Sequence, residues 1–457
     1  MENTIAVILA AGEGKRMKSE HSKVVHKVLG KSIIRRVYNA VKAAGIEECV
    51  IVVGHRQDEV REEMQDLVSY AVQEEQLGTG HAVMQAVDFI EKSKRVVILS
   101  GDAPLISGET IKNAVLQCER NQEYATIFTA EFEDPNGYGR IVRDAKGAVC
   151  GIVEHKDATE EQRRIKEINS SMYCFDSKAL CDALKKITNN NVQGEYYLTD
   201  VIEIMIQSGL SVGTYRLKNH YEIMGINDRV QLAEANQMAR KLCNEKHMRN
   251  GVTLIDPETT YIEEDVVIGR DSIVYPGNIL EGTTVIGEEC VLNQNNRITN
   301  STLADHVEIT SSVMTDSTVD SYTHVGPFAY IRPNTHIGKQ ARIGDFVELK
   351  NSTIGDKTKV SHLTYVGDSD VGSEVNFGCG TVTVNYDGIH KNRTTIGDKS
   401  FIGCNTNLIA PVKLGTGAYT AAGTTITKDV PENALAIGRC RQEIKEGWAK
   451  GKTKVNP

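Results

Sequence analysis

The sequence is poor in aromatic residues, and it lacks any apolar run long enough to span a bilayer. Phenylalanine, tryptophan and tyrosine together make up only 5% of the 457 residues. Glycine, by contrast, is plentiful at 39 residues, which indicates a region built from many tight turns. The N-terminus leads directly into a predicted strand and has no signal-peptide pattern, so we expect neither a secretory leader nor a membrane segment.

The chain also has no excess of positive charge and no closely spaced pair of cysteines. The net charge of −9 argues against a general nucleic-acid binder, whose affinity would rest on lysine and arginine. The ten cysteines are scattered without a Cys-x-x-Cys pair, so we expect neither a zinc site nor a disulfide framework. A reducing cytoplasm is the simplest location for such a chain. Its length predicts two or three domains.

The first half of the chain alternates short apolar strands with amphipathic helices, such as the one expected from Ile33 to Ala44. This alternation predicts an α/β, Rossmann-like domain with a mostly parallel sheet and helices on both faces. We place this domain at residues 1–228 and a polar linker helix at 229–250. The apolar runs interpreted as buried strands are residues 5–10, 49–54, 96–101 and 125–130.

Beyond Gly251, aliphatic residues recur every six positions. The longest runs begin at Ile262, Val313 and Ile396, and a glycine often follows the aliphatic residue. This is the hexapeptide signature of a parallel β-helix, in which the aliphatic side chains stack inside a three-sided coil. We place this domain, with a C-terminal tail, at residues 251–457.

Two segments of the second half depart from the repeat. The break between Val382 and Ile396 predicts an inserted loop that projects from the coil. After Lys428 the repeat is expected to end, and a short helix is predicted around Glu443 to Ala449.

Glycine-rich turns in the first half are suited to holding a nucleotide. The turn at residues 10–14 brings backbone N–H groups toward phosphate, and Arg16 and Lys23 follow closely enough to neutralise charge. The Gly-Thr-Gly run at 78–80 allows close approach of a base or sugar. Taken alone, the two cations would be interpreted as solvated surface charges, and the second turn as an ordinary helix cap.

Asp102 stands just past the C-terminal end of the strand predicted at residues 96–101. In open α/β sheets, ligands bind at that edge. A carboxylate beside phosphates predicts Mg²⁺, a hard cation that prefers oxygen ligands. The alternative is a turn-forming aspartate ahead of Pro104.

In combination, these features resemble the sugar-phosphate nucleotidylyltransferase (pyrophosphorylase) family. With a hexapeptide-repeat half added, nearly the whole chain resembles the bacterial family of bifunctional N-acetylglucosamine-1-phosphate uridylyltransferases and glucosamine-1-phosphate N-acetyltransferases. The first-half segments that carry the resemblance are LAAGEGKRM (9–17), Lys23, QLGTGHA (76–82), GDAPL (101–105), NGYGR (136–140), IVE (152–154), EIN (167–169) and GIN (225–227).

The resemblance implies that Arg16 and Lys23 are catalytic residues on the triphosphate and that Asp102 and Asn227 bind Mg²⁺. The sugar phosphate would attack the α-phosphorus of UTP and expel pyrophosphate, so that catalysis consists of positioning and charge neutralisation. Two positions depart from the family pattern: Lys15 replaces a threonine, and Ser100 stands where an aromatic residue is common. The implied binding residues for UTP and UDP-N-acetylglucosamine are Leu9, Ala10, Ala11, Gly12, Lys23, Gln73, Gly78, Thr79, Gly139, Glu154, Asn169 and Asn227.

Polar side chains interrupt the repeat of the second half. Arg332 and Lys350 are eighteen residues apart and should lie one above the other, because each side of the coil takes one hexapeptide. Two stacked cations suggest a phosphate site, although isolated solvated charges are the alternative. His362 lies two sides further round the coil, where an imidazole would suit a general base for an amine, unless it is merely structural or exposed.

The segments SHLTYVGDSDVG (361–372) and NFGCGTVTVNYDG (376–388) resemble the acetyltransferase motifs of the same bifunctional family. The resemblance implies that His362 is the proton acceptor, and that the domain is a left-handed β-helix that assembles as a homotrimer. Family members often carry alanine in place of Cys379 and serine in place of Cys404. The implied glucosamine 1-phosphate ligands are Arg332, Lys350, Tyr365, Asn376 and Lys391, and the implied acetyl-CoA contacts are Cys379, Asn385, Tyr386, Cys404, Ala422 and Arg439.

We therefore expect a bifunctional enzyme with Mg²⁺ as cofactor, with acetyl-CoA and UTP as co-substrates, and without nucleic-acid or membrane partners. It would acetylate glucosamine 1-phosphate and then make UDP-N-acetylglucosamine for cell-wall synthesis. One alternative is a monofunctional sugar-phosphate nucleotidylyltransferase with a structural β-helix, in which His362→Ala would leave all activity intact. Another is a non-catalytic assembly subunit, which Mg²⁺-dependent release of pyrophosphate from UTP would exclude.

Overall fold

The computed structural model describes residues 1 and 3–450, and it divides into two compact units. The division falls between Ala239 and Arg240, inside the helix Arg229–Arg249 that occupies the predicted linker. The last part of the predicted C-terminal tail, residues 451–457, lies outside the described residues. Within the described part of the chain, no helix is both long and apolar enough to cross a membrane.

A twisted sheet forms the middle of the first unit. The four strands expected from apolar runs are all present. The first of them pairs in parallel with the second and with the third. The strands of this unit are β1 Thr4–Leu9, β2 Lys27–Val28, β3 Lys31–Ser32, β4 Glu48–Val53, β5 Ser69–Val72, β6 Arg95–Ser100, β7 Ala125–Glu131, β8 Arg140–Arg143, β9 Val149–Val153, β10 Glu167–Asp176 and β11 Val212–Arg216.

The strand order is β11-β7-β10-β6-β1-β4-β5, with β8 paired to β10, β9 paired to β8, and β2 and β3 forming a separate hairpin. Strand β10, which the apolar runs do not predict, runs antiparallel to its three neighbours β6, β7 and β8. Alternate residues of β1 enter two different apolar cores: Ile8 packs in one and Val7 in the other. The sheet is therefore buried on both faces, which explains why its central strands are continuous apolar runs.

Helices cover both faces of this sheet. The stretch from residue 79 to residue 90 is divided between two short helices. The helices are α1 Ile33–Ala43, α2 Gln57–Met64, α3 Thr79–Met84, α4 Val87–Ile90, α5 Gly108–Arg120, α6 Glu160–Arg163, α7 Ser177–Leu184, α8 Asp200–Gln207 and α9 Arg229–Arg249, with 3₁₀ turns at Lys15–Met17, Lys23–Val25, Gln65–Leu67 and His220–Ile223.

In the second unit, the described residues wind into a coil with three parallel sheets as its faces. The first face contains Thr253–Leu254, Ile273–Val274, Val291–Leu292, Glu308–Ile309, His324–Val325, Arg342–Asp345, Lys359–His362, Asn376–Phe377, Phe401–Ile402, Tyr419–Thr420 and Leu435–Ala436. The second contains Tyr261–Ile262, Ile279–Glu281, Arg297–Thr299, Val313–Thr315, Tyr330–Ile331, Glu348–Lys350, Tyr365–Gly367, Val382–Val384, Asn407–Ile409 and Thr425–Ile426. The third contains Val267–Ile268, Val285–Ile286, Thr302–Leu303, Ser317–Val319, Thr335–Ile337, Thr353–Ile354, Ser369–Val371, Thr394–Ile396 and Val412–Leu414.

The hexapeptide prediction is confirmed, because the recurring aliphatic residues fill the interior of the coil. Ile262 and Val274 are fully buried, and the parallel, stacked sheets are consistent with a left-handed β-helix. One position of the predicted phase is wrong: Val313 is exposed, and Met314 takes the interior place. The reason is a shorter coil here, since Met314 pairs with Ile298 after only sixteen residues.

The predicted insertion is present, and it follows the strand Val382–Val384. The expected end of the repeat after Lys428 is wrong, because Leu435–Ala436 still pairs with Tyr419–Thr420. The short helix expected near the C-terminus is also wrong, since residues 446–450 form turns.

Candidate functional site

A cavity of about 430 Å³ opens at the carboxyl edge of the first unit's sheet. Its walls come from the loop after β1, the end of β6, the chain after β5 and the turn into α3. The fold thus brings together glycine-rich turns and charged residues that are far apart in the chain. The residues expected from sequence that line this cavity are Leu9, Ala10, Ala11, Gly12, Lys23, Gln73, Gly78, Thr79, Asp102 and Glu154.

Two glycines permit the close backbone approaches that shape this edge. The Gly101 amide donates to the Leu9 carbonyl oxygen at 2.9 Å, and a Cβ at Gly101 would lie 2.6 Å from that oxygen. Gly78 has a φ of +112°, and a Cβ there would lie 2.6 Å from the carbonyl oxygen of Tyr196. Larger residues at these two positions would push the cavity walls apart.

Lys23 contacts both of the expected metal ligands. Its Nζ lies 2.5 Å from Oδ2 of Asp102 and 3.2 Å from Oδ1 of Asn227. The side chains of Lys23 and Asp102 are only 13% and 19% exposed. Two oxygen atoms from distant parts of the chain therefore converge on one largely buried cation.

This oxygen pair fits Mg²⁺ of the kind that is shared with phosphate. Within residues 1 and 3–450, no three histidine, cysteine or acidic side chains are grouped as metal ligands. Mg²⁺ is usually held by one or two protein groups together with substrate phosphates and water. The ammonium group of Lys23 stands in for a cation between Asp102 and Asn227, so these two residues suit such an ion.

A second part of this site joins Gly139, Glu154 and Asn169. A Cβ at Gly139 would lie 3.4 Å from Oε2 of Glu154 and 3.5 Å from Cβ of Asn169. Asn169 is buried and donates to the Tyr173 hydroxyl at 2.7 Å. Burial raises the pKa of the Glu154 carboxyl, and a hydrogen bond with Thr199 partly opposes this rise. The result is a compact group of a glycine, an amide and a carboxyl group.

The segment at residues 193–199 also forms part of the cavity wall, although no motif had pointed to it. Gln193 donates to the hydroxyl of the buried Tyr197 at 2.7 Å. Its position follows from tertiary packing, since the Tyr196 amide donates to the Leu77 carbonyl oxygen ahead of α3. Arg16, by contrast, is exposed in the 3₁₀ turn Lys15–Met17 and is not among the described residues that line the cavity.

On the β-helix, three cations meet on neighbouring coils. Ile331 pairs with Leu349, so Arg332 and Lys350 lie one above the other, as their spacing predicts. The ammonium group of Lys391, from the inserted loop, lowers the pKa of Lys350, and Arg332 acts in the same direction. The cluster therefore carries a concentrated positive charge.

Acidic and amide groups surround these cations. Arg332 Nη1 lies 2.7 Å from Oε1 of Glu348. Asp368 accepts from Asn385 at 2.5 Å, and Asn385 Nδ2 lies 3.4 Å from the Tyr365 hydroxyl. Although burial opposes ionisation of Asp368, its hydrogen bonds and the charges of the nearby lysines lower its pKa. Tyr365 and Asn385 are thus brought into the cation cluster.

His362 is oriented by a carboxylate on the adjacent coil. Its Nδ1 lies 2.8 Å from Oδ1 of Asp345, the residue with which it pairs in the sheet. This hydrogen bond lowers the pKa of Asp345. The imidazole is 60% exposed. When Nδ1–H donates to Asp345, Nε2 is the nitrogen that accepts a proton.

One corner of the coil aligns His362 with the expected acyl-donor residues. Phe377 pairs with Val360 on one side and with Ile402 on the other, so the residues two places further on form a column. Backbone hydrogen bonds continue this column, and Arg439 Nη1 donates to the Ala422 carbonyl oxygen at 2.8 Å. The column consists of Asp345, His362, Cys379, Cys404 and Ala422.

Two expected residues lie apart from these groups. Asn376 is on the first face, where it pairs with Lys359 and Phe401. Tyr386 is exposed, and its hydroxyl donates to the Gly388 carbonyl oxygen at 2.6 Å within the inserted loop.

Comparison with known proteins relates both halves to characterised families. Residues 5–221 match the nucleotidyl transferase family model, and residues 313–414 match the GMPPB C-terminal domain model. A protein of Acetivibrio thermocellus described as bifunctional protein GlmU is 57% identical over 449 residues, which are 98% of this chain and 97% of that protein. Proteins with the same description from Clostridium botulinum (strain 657) and Clostridium kluyveri (strain NBRC 12016) are 56% and 54% identical, each over 97% of both chains.

Proposed function

The chain belongs to the bifunctional GlmU family, and we infer that it makes UDP-N-acetylglucosamine by two successive transfer reactions. It acetylates glucosamine 1-phosphate with acetyl-CoA. It then transfers UMP from UTP to N-acetylglucosamine 1-phosphate and releases pyrophosphate, giving a precursor for the cell wall. The high identity to bifunctional relatives over nearly the whole chain is the observation that carries this conclusion.

We assign uridylyl transfer to the cavity of the first unit. Its glycine-rich walls suit a nucleotide, with residues 9–12, Gln73 and the 78–79 turn against UTP. The group of Gly139, Glu154 and Asn169 would hold the N-acetylglucosamine moiety through its amide and carboxyl oxygens. The phosphate of the sugar is already a nucleophile, so the protein needs chiefly to align it with the α-phosphorus of UTP.

Asp102 and Asn227 would hold Mg²⁺, which neutralises phosphate charge when it is bound. Lys23 lies between their oxygen atoms, within reach of a triphosphate in the same cavity. Arg16 would reach the triphosphate from the exposed turn that follows the glycine-rich loop. The charges of these two side chains would offset those of the bound nucleotide.

We assign acetyl transfer to the exposed corner and face of the β-helix. The cations Arg332, Lys350 and Lys391 would bind the phosphate of glucosamine 1-phosphate, since their mutual repulsion is relieved by an anion. Tyr365 lies beside this cluster through Asn385. Asn376 would contact the same substrate from the neighbouring face.

His362 would accept the proton of the substrate amine, with Asp345 holding the imidazole in orientation. The amine nitrogen then attacks the thioester carbonyl, and the CoA thiolate leaves. A backbone N–H near Cys379 would stabilise the oxyanion. The column of Cys379, Cys404 and Ala422 offers a path for the acetyl-CoA chain toward His362, with Asn385, Tyr386 and Arg439 as further contacts. Direct transfer requires no cysteine nucleophile.

We further propose that the protein is a homotrimer. Phe328 and Phe346 stack on each other, yet remain 58% and 57% exposed, and Leu363 follows them on the next coil beside His362. Apolar side chains of this size in a contiguous row favour burial against another subunit. A second subunit placed there would also cover the open histidine.

A coupled assay tests the two activities together. The full-length protein receives glucosamine 1-phosphate, acetyl-CoA, UTP and Mg²⁺, and free CoA and pyrophosphate are measured separately. We expect pyrophosphate release to require acetyl-CoA, unless N-acetylglucosamine 1-phosphate is supplied instead. Pyrophosphate release with N-acetylglucosamine 1-phosphate, without any CoA release with glucosamine 1-phosphate, would support the monofunctional alternative. Absence of CoA release together with absence of pyrophosphate release from either sugar phosphate would support a non-catalytic subunit.

A further inference from the structure

We propose that Ser100 is a positioning residue for the metal site, an inference that rests on the proposed role of Asp102 in uridylyl transfer. The Ser100 hydroxyl donates to Oδ1 of Asp102 at 2.6 Å. The other carboxylate oxygen, Oδ2, lies 2.5 Å from Lys23 Nζ. The two oxygens of Asp102 are thus divided between a hydroxyl group and a cation, and the hydroxyl directs Oδ2 toward the cation.

The backbone that carries Ser100 is held firmly in the sheet. Ser100 is the last residue of β6 and pairs with Leu9, the last residue of β1. The next residue, Gly101, donates to the Leu9 carbonyl oxygen and has no room for a Cβ atom. The hydroxyl therefore extends from a fixed point on the cavity wall rather than from a mobile loop.

Residues 225–227 lie beside Asp102. A Cβ at Gly225 would lie 3.3 Å from Oδ1 of Asp102, and the Ile226 amide donates to the Asp102 backbone oxygen at 2.9 Å. The same segment carries Asn227, whose Oδ1 is 3.2 Å from Lys23 Nζ. The orientation of Asp102 therefore decides whether its oxygen and that of Asn227 share one cation.

Loss of the hydroxyl should weaken binding of a divalent ion. Partners that hydrogen-bond to a metal ligand fix its orientation, and removing them typically lowers metal affinity about 10–100-fold. In Ser100→Ala, Oδ1 of Asp102 loses this donor, and the carboxylate is free to turn away from Asn227. Ser100→Thr retains a hydroxyl group at the same atom and should restore most of the affinity.

Mn²⁺ titration provides a readout that is independent of turnover. Full-length protein is mixed with UTP in the absence of a sugar phosphate, and free Mn²⁺ is followed by electron paramagnetic resonance. We expect Ser100→Ala to bind Mn²⁺ about tenfold more weakly than the unmodified protein. The Mg²⁺ concentration for half-maximal pyrophosphate release should rise by a similar factor, while CoA release stays unchanged. Ser208→Ala, an exposed serine on the same unit, serves as the matched control.

Asp102→Asn separates this proposal from the proposed function. If Asp102→Asn weakens Mn²⁺ binding and Ser100→Ala does not, the proposed role of Ser100 is wrong, while the assignment of Asp102 as a metal ligand is supported. Equal weakening in Ser100→Ala and Ser100→Thr would mean that packing rather than the hydroxyl matters, which also overturns the proposal. If Asp102→Asn binds Mn²⁺ normally, Asp102 is not the metal ligand, and the role of Ser100 fails with it.

Discussion

The two candidate sites treat positive charge in opposite ways. In the first unit, Lys23 is largely buried and already contacts the oxygen atoms of Asp102 and Asn227. On the β-helix, Lys350 and Lys391 face each other at the surface, and their repulsion lowers the pKa of Lys350. We therefore expect a bound metal ion to take over oxygen contacts that Lys23 makes at the first site, and a bound anion to relieve repulsion between lysines at the second.

The sites also differ in how the chain assembles them. Lys23 and Asn227 are 204 residues apart and meet because strand and loop ends converge at one edge of a sheet. Arg332 and Lys350 meet because one turn of the coil separates them. The neighbours in a site on a coil can therefore be predicted from the residue spacing. The neighbours in a site at a sheet edge depend on the packing of the whole domain.

The largest expected effect is that of Asp102→Ala. Loss of a proposed metal ligand should lower pyrophosphate release at least about a thousandfold, because a metal ion contributes several kcal/mol of charge stabilisation. CoA release in the same sample should stay within about twofold of normal if the sites are independent, as their different construction suggests. If CoA release fell in parallel in a folded variant, the two sites would not be independent.

His362→Ala should have the next largest effect, and it should act on the acetyl transfer assigned to the β-helix. We expect CoA release to fall about a hundredfold or more, which is the usual contribution of a general base. Pyrophosphate release from UTP and N-acetylglucosamine 1-phosphate should be unaffected.

His324→Ala is the matched control, because His324 also lies 2.9 Å from a carboxylate, that of Glu308, on the same face of the coil. If both histidine variants lose CoA release equally, the effect belongs to the fold of the coil and not to base catalysis by His362.

Lys350→Ala should weaken substrate binding more than turnover. A charge-assisted hydrogen bond contributes about 1.5–3 kcal/mol, so KM for glucosamine 1-phosphate should rise about tenfold or more. Thermal stability without substrate should not fall, since a repulsion is removed. Lys339→Ala, an exposed lysine elsewhere on the coil, is the control. A marked loss of stability in the substrate-free variant would contradict our view that the repulsion from Lys391 and Arg332 outweighs the attraction of Lys350 to Asp368.

The smallest expected effect concerns the pH dependence of sugar binding. Burial raises the pKa of Glu154, so its carboxylate takes up a proton at a higher pH than the ordinary value of 4.5 would give. Because the ionised form is the better acceptor for sugar hydroxyls, KM for N-acetylglucosamine 1-phosphate should rise a few-fold as the pH falls toward that raised value. Glu154→Gln should lack this acid limb. An identical pH profile in the two proteins would exclude Glu154 as its origin.

Regular patterns in the sequence predicted most of the fold, whereas irregular segments were not predicted correctly. The four apolar runs became strands because both faces of the sheet are buried. Strand β10 was missed because polar residues interrupt it and its register shifts between Asn169 and Tyr173. The interior place of Met314 was missed because two successive coils are shorter than the repeat, and a fixed period cannot show that.

The residues of the candidate sites were likewise predicted where a motif is present and missed where none is. Glycine-rich turns and charged residues in recognisable motifs were anticipated, and most of them line the cavity or the coil corner. The wall at residues 193–199 has no such motif, and its place depends on a hydrogen bond between Tyr196 and Leu77.

The sequence by itself determined the coil and the alignment of Arg332 with Lys350, because in a repeating structure neighbours are set by the residue count. It also determined that glycine-rich turns follow the strands of an α/β domain. Only the tertiary structure decided that Ser100 and Lys23 divide the two oxygens of Asp102 between them. The physical reason is that such contacts depend on distances of a few ångströms between separate elements, and these distances are set by how the cores pack.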